Sequence, residues 1–344
     1  MKMYHEDFLK LLEENKELIE EKMKKDPNYL NSFMKSTIDD ISDVLFKSLN
    51  KQKVILDNKK MENGFNKRLH KKWQKPLEDL EVLIEYSYEG AVMFTASFLE
   101  EAKKENNLVF YALRSIHARA ILTAKECLAL LKNGFADGAF GRWRTLYELA
   151  VIGVLLANNR DGELCERYLN FFFVQAYKEE KVRREKGYPS CTDELFEELK
   201  ERYELMLKKY GKEYEKGDYG WANKLFNKRT NFSDIEIATS MDIYRGYYKS
   251  SSMFVHGNFK ASQEPLGLMP NGEKMLLVGP SNYGLSIPMQ NVAISLVSIS
   301  NSFFSVYPTI DAVSIWLILK EFMDNILVSA DEIQTKMEND DLIN

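Results

Sequence analysis

The run ELAVIGVLLAN, Glu148 to Asn158, constrains this chain more than any other segment. At 3.6 residues per turn it is apolar nearly all round, so as a helix it has no face suited to water. Such a helix belongs in the middle of a bundle, and the sequence supplies the surrounding helices. Leu108 to Lys132 is strongly periodic, and two more long helices are expected at about 287–304 and 310–336, around Pro308. The expected fold is all-α, a multi-helix bundle.

Further helices flank that core. Phe8, Leu11, Leu12, Leu18, Ile19 and Met23 form an amphipathic stripe that Asp26-Pro27 halts, and a second stretch runs from Tyr29 to about Lys60. Together they read as a helical hairpin arm over 1–62, ended by Asn63-Gly64, with the core domain over 63–338. A helix kinked at Pro76 follows, and charged helices are expected at 161–186 and 192–216. Lys216 to Ser233 is loop-like. One good strand signal occurs, LGLMPNGEKMLLVGP, whose Asn271-Gly272 favours a tight turn; it predicts a small β-hairpin near 266–280.

Composition narrows the function classes. Hydrophobic residues make up 45% of 344 and charged ones 29%, an ordinary globular balance. The net charge of −5 gives no global basic field, so a polyanion site would have to be a local patch. Cys127, Cys165 and Cys191 are widely spaced, with no C-x-x-C pair and no zinc-site spacing. No phosphate-binding glycine loop, H-E-x-x-H or nucleophile elbow occurs, so neither cofactor nor metal is expected. The charged amino terminus lacks the apolar core of a secretion signal, and no run of about 18 apolar residues exists. A cytoplasmic protein without a membrane span is expected.

Two constellations carry chemistry. In IYRGYYKSSSMFVHGN, Arg245, Lys249, Ser252 and His256 follow spacings of four, three and four. On one helix, at roughly 100° per residue, they fall within about 60° of one another. A cation, an ammonium, a hydroxyl and an imidazole on one face suit binding and cleavage of a phosphodiester, with His256 passing a proton in the last helical turn. The alternative is a histidine that caps its helix against a buried carboxylate. In RWRTLYE, Arg144 and Glu148 share a face four residues apart, with Arg142 about 120° away from Glu148. They form either an ion pair at the edge of the core or part of the His256 cleft. A basic run from Lys59 to Lys75 surrounds Trp73, which is either a base-stacking aromatic or a buried anchor.

An RWRTLYE helix, a charged helix pair, an SSMFVHGN helix end, then a hairpin and GPSNYG resemble a family of bacterial all-helical proteins of unknown function. FNKRLHKKW looks like that family's opening helix, and the resemblance covers about residues 65–325. The family is in turn distantly similar to the HEPN superfamily (higher eukaryotes and prokaryotes nucleotide-binding), whose bundles include metal-independent ribonucleases of toxin and anti-phage systems. Its typical motif places four to six residues between an arginine and the histidine that follows it; here ten residues separate Arg245 from His256. Stripe and resemblance together imply an activity on RNA or a nucleotide, in a homodimer, in bacterial defence or a toxin-like role with an antitoxin or defence partner. His256 is then the acid/base, Arg245 and Arg144 the phosphate stabilisers, Glu148 an orienting carboxylate, and Ser252, Lys249 and Arg142 substrate contacts. The rival is a non-catalytic helical module that binds a partner through the same cleft. A DNA-binding regulator using the basic segment is a third reading.

Overall fold

The computed structural model describes residues 5–160, 162–268 and 276–343. They form fourteen α-helices joined by turns and short 3-10 segments, with no strand among the described residues. The chain divides into two compact units, Met1–Phe65 and Asn66–Asn344.

The first unit holds α1 (His5–Glu14), α2 (Lys16–Met23), α3 (Tyr29–Ser48) and the start of α4 (Lys51–Glu105). The stripe expected as one helix breaks at Asn15, whose side-chain amide donates back to the Leu11 carbonyl at 2.8 Å. Helix α2 packs on α3, with Lys22 over the Tyr29 ring at 5.3 Å. The second break falls at Leu49-Asn50 rather than Asn63-Gly64. Asn50 accepts from the Lys53 amide at 3.0 Å and so caps α4, which then runs through Gly64. One interior glycine costs a helix only about 1 kcal/mol.

In the second unit α4 kinks at Trp73, where φ is −105° and ψ 15°. The cause is Pro76, which lacks an amide to donate and whose ring crowds the carbonyl of the preceding turn. Trp73 is fully buried and donates its indole N–H to the Asn282 carbonyl at 2.9 Å. It is an anchor and cannot stack a base. The core is α5 (Leu108–Lys132), α6 (Ala136–Asn158) and α13 (Ser286–Phe304), with α14 (Ile310–Ile343) against α13. As its composition requires, α6 lies between α5 and α13. Trp143 of α6 is fully buried and bonds Ser295 of α13 at 2.9 Å. Helices α7 (Glu163–Glu185) and α8 (Asp193–Tyr210) pair with each other.

Of the short helices α9 (Asn223–Phe226), α10 (Phe232–Ala238), α11 (Arg245–Ser251) and α12 (Phe259–Gln263), α10 and α11 pack on α6, α9 on the 3-10 segments that follow α8, and α12 on the 3-10 turn after α11. The expected β-hairpin is not supported. Its turn, Asn271-Gly272, lies outside the described residues, and the described flanks form no strand. Those flanks bond to the start of α6 instead: Leu266 donates its amide to Asp137 at 2.8 Å, and Ser281 to the Gly134 carbonyl at 2.9 Å.

Candidate functional site

The polar stripe does not lie on one continuous α-helix. Helix α11 ends at Ser251 and tightens into a 3-10 turn over Ser252–Phe254, and His256 follows in an irregular turn. The serine run explains the break. Ser251 and Ser252 both donate their hydroxyls back to the Tyr248 carbonyl, at 2.8 and 3.2 Å, and compete with the helical amides. His256 is therefore not in the last turn of an α-helix, and the helix-dipole argument for its charge does not apply.

Arg144 of α6 is the hub of a closed network. Its Nε donates to Glu148 at 3.2 Å, one terminal nitrogen to the Ser252 hydroxyl at 2.5 Å, and the other to the Tyr248 hydroxyl at 2.8 Å. Tyr248 in turn donates to Glu148 at 2.6 Å, and the guanidinium carbon lies 4.5 Å from the Tyr248 ring centroid. Burial works against the Arg144 charge, but the hydrogen bonds to Glu148 and Tyr248 and the charge of Glu148 outweigh it and hold the pKa above its usual value. Burial, then the carboxylate of Glu148, push the Tyr248 phenol up. Tyr248 thus stays protonated and fixes Arg144 and Glu148 in register. Three of five guanidinium N–H groups are engaged, which leaves two for a ligand.

Arg245 falls in a second network. It pairs with Glu236 of α10, whose side chain is fully buried. The Tyr147 hydroxyl lies 2.9 Å from that carboxylate and 2.7 Å from the Met241 carbonyl. Arg245 is thus tied to α10 through one of its terminal nitrogens. Arg142 pairs with Glu126 of α5 and bonds Thr145 at 3.2 Å. Lys249 is exposed and has no ion-pair partner among the described residues.

His256 is exposed, and its ring makes no hydrogen bond among the described residues. It lines an open cleft of about 570 Å³ with Asp137, Phe254, Asn258 and Phe259. A second cleft, of about 490 Å³, is lined by Arg142, Arg144, Glu148 and Val255. Gly138 and Phe254 line both, so the two clefts adjoin along the start of α6. Asp137 is the unexpected member. Burial raises its carboxyl pKa, and the amide of Leu266 lowers it only in part. Among the described residues no group of three His, Cys, Asp or Glu side chains could hold a metal ion.

Four participants escaped the sequence reading: Tyr248, Tyr147, Glu236 and Asp137. Tyr248 stands one turn before Ser252, a spacing that could have exposed it. Asp137-Gly138 reads only as a turn, and Glu236 meets Arg245 across a turn that no periodicity predicts.

Residues 110–273 match the model of a family of unknown function, DUF5677. That span contains Arg144, Glu148, Arg245 and His256, and so both clefts' polar residues. No curated protein and no solved structure matches the chain.

Proposed function

We propose that the protein acts on RNA or a nucleotide at the His256 cleft, as a metal-independent ribonuclease of the HEPN-like kind, in a bacterial anti-phage or toxin–antitoxin setting. The observation that carries this reading is an exposed, unpartnered imidazole that shares an open cleft with a carboxyl of raised pKa. His256 takes the proton of a ribose 2′-hydroxyl as that oxygen attacks phosphorus. The phosphorus–5′-oxygen bond breaks, and Asp137 returns a proton to the leaving oxygen. The products are a 2′,3′-cyclic phosphate and a 5′-hydroxyl. The two uncommitted N–H groups of Arg144, held in place by Tyr248 and Glu148, meet the charge that develops on the phosphate. Lys249 adds long-range attraction, and Arg245 positions α11. A homodimer in the cytoplasm, held in check by an antitoxin or defence partner, fits this role.

The test is incubation of wild type and His256→Ala with a mixed RNA pool in EDTA, followed by end-group analysis. Wild type is expected to leave cyclic phosphate ends, and the variant to lose about 10²–10⁴ in rate. Intact RNA in both samples refutes the reading.

One observation favours a second reading, a non-catalytic helical binding module. Arg144 spends most of its donors on its own chain, which is what a structural tie does. In that case Arg144→Ala lowers stability by about 1–3 kcal/mol, because Glu148 and Tyr248 lose their partner, and His256→Ala changes neither stability nor any turnover of RNA.

A further inference from the structure

A third, markedly apolar cavity lies away from the His256 and Arg144 clefts, in the groove between α4 and α5. It measures about 500 Å³, within the range of small-molecule sites. Ala91, Val92 and Thr95 line it from α4, and Ala118, Ile121 and Leu122 from α5. The fully buried Phe303 of α13 closes its inner side. Val92 and Leu122 are 51% and 48% exposed, so the groove holds apolar surface against water.

The two ends of the groove differ. Lys125 closes one end: it pairs with Glu85 at 2.7 Å and covers the Tyr88 ring at 5.3 Å. Arg114 stands at the other, three turns away along α5. Its guanidinium touches the Tyr111 ring at 5.9 Å and has no carboxylate or hydrogen-bond partner among the described residues. Between them His117 is almost wholly buried and lines the cavity. Its Nε2 is held by Ser300 at 3.0 Å, while its other ring nitrogen makes no hydrogen bond among the described residues.

Size and charge together favour one class of occupant. From Arg114 to Lys125 the groove runs about 16 Å at 1.5 Å per residue. Its volume of about 500 Å³ is that of a small-molecule site. The unpartnered guanidinium at one end suits a ligand with a negative head group, and the apolar walls suit an alkyl tail.

We propose that the α4–α5 groove is a binding site for a small amphipathic anion, an alkyl carboxylate, with its chain along Ala91, Ala118 and Ile121 and its carboxylate on Arg114. A guanidinium takes a carboxylate through two parallel N–H bonds, which an alcohol cannot reproduce. This site is independent of the chemistry at His256.

The full chain would be titrated calorimetrically with decanoate and with decanol. One saturable decanoate site is expected, with decanol at least tenfold weaker. Arg114→Gln, on the groove's rim, should weaken decanoate at least tenfold, and Ala118→Trp, which fills the groove from an exposed position, should abolish it. Circular dichroism melting checks that both variants fold; if Ala118→Trp does not, Arg114→Gln alone carries the test. No saturable decanoate binding, equal binding of decanol, or binding that survives both substitutions overturns the proposal. So does a wild-type dimer in sedimentation that Ala118→Trp dissociates without decanoate ever binding, which would make the groove an interface between copies.

Discussion

His117 shows what burial costs a single titratable side chain. Its ring lies against Phe303 and Phe304, with centroids 5.4 and 5.9 Å away, and no charged partner compensates it. Burial lowers its pKa to about 4, against about 6.5 in an unfolded chain. Between those values the unfolded state binds a proton that the folded state refuses. The contribution of His117 is therefore complete above about pH 6.5 and is lost as pH falls toward 4. The loss across that window is about 3 kcal/mol. Urea unfolding of wild type and His117→Asn at pH 7, 5.5 and 4 checks this. The stability difference between them should shrink toward acid, because the carboxylates titrate alike in both. A gap that stays constant with pH refutes the burial argument. The residue scale also marks how far the site was legible. The spacing of Arg144 and Glu148 announces their pairing, since helix geometry alone brings i and i+4 together. Tyr248 reaches that pair from 100 positions away, and Asp137 shares a cleft with His256 only because the chain folds back. Nothing in local periodicity encodes either meeting.

Helices are a different matter, because their signals are local. The long helices α5, α13 and α14 begin within a few residues of where apolar spacing and breakers put them, whereas α6 begins at Ala136 and runs through Asp137-Gly138, a pair that reads as a turn. The failures came where side chains rewrote the backbone: Asn15 and Asn50 set breaks that Gly64 does not, serines end α11 early, and Asp137 engages a segment read as a strand. One contact between elements is set by the absence of a side chain. Gly153 of α6 faces Ile299 of α13, and a Cβ there would lie 2.1 Å from the Ile299 Cδ1. Alanine favours a helix over glycine by about 1 kcal/mol, but overpacking costs about 1–3 kcal/mol. Gly153→Ala should therefore destabilise by about 1 kcal/mol, net. Ile299→Val removes the clashing methyl and, alone, costs about 1 kcal/mol. Together they should be close to wild type, with a coupling of at least about 1 kcal/mol in a double-mutant cycle. Simple additivity would mean that α6 and α13 do not depend on this close approach.

At the scale of the whole molecule, the two units differ sharply in how much they bury. Among residues 9–65, Ile19 is the only one buried, whereas Val44, Phe46, Leu49 and Leu56 are largely exposed, Phe46 at 82%. The second unit encloses Trp73, Trp143, Tyr147, Phe110 and Phe303 completely. Local opening is cheapest where few apolar contacts must be broken, so the first unit opens at a small fraction of the free energy of the second. Its exposed helical stretch from Lys51 to Lys60 offers four lysines to trypsin. Brief digestion of the native protein should cut before residue 66 first and leave a fragment that begins near Lys60. That fragment should keep the melting transition of the intact chain, because the buried aromatics that set it are all retained. Mass spectrometry of the first product and a melt of the purified fragment read both outcomes. A first unit that survives trypsin as long as the second would show that its exposed apolar residues are covered in solution. Stability would then belong to an assembly rather than to the single chain, and the melting temperature would rise with protein concentration.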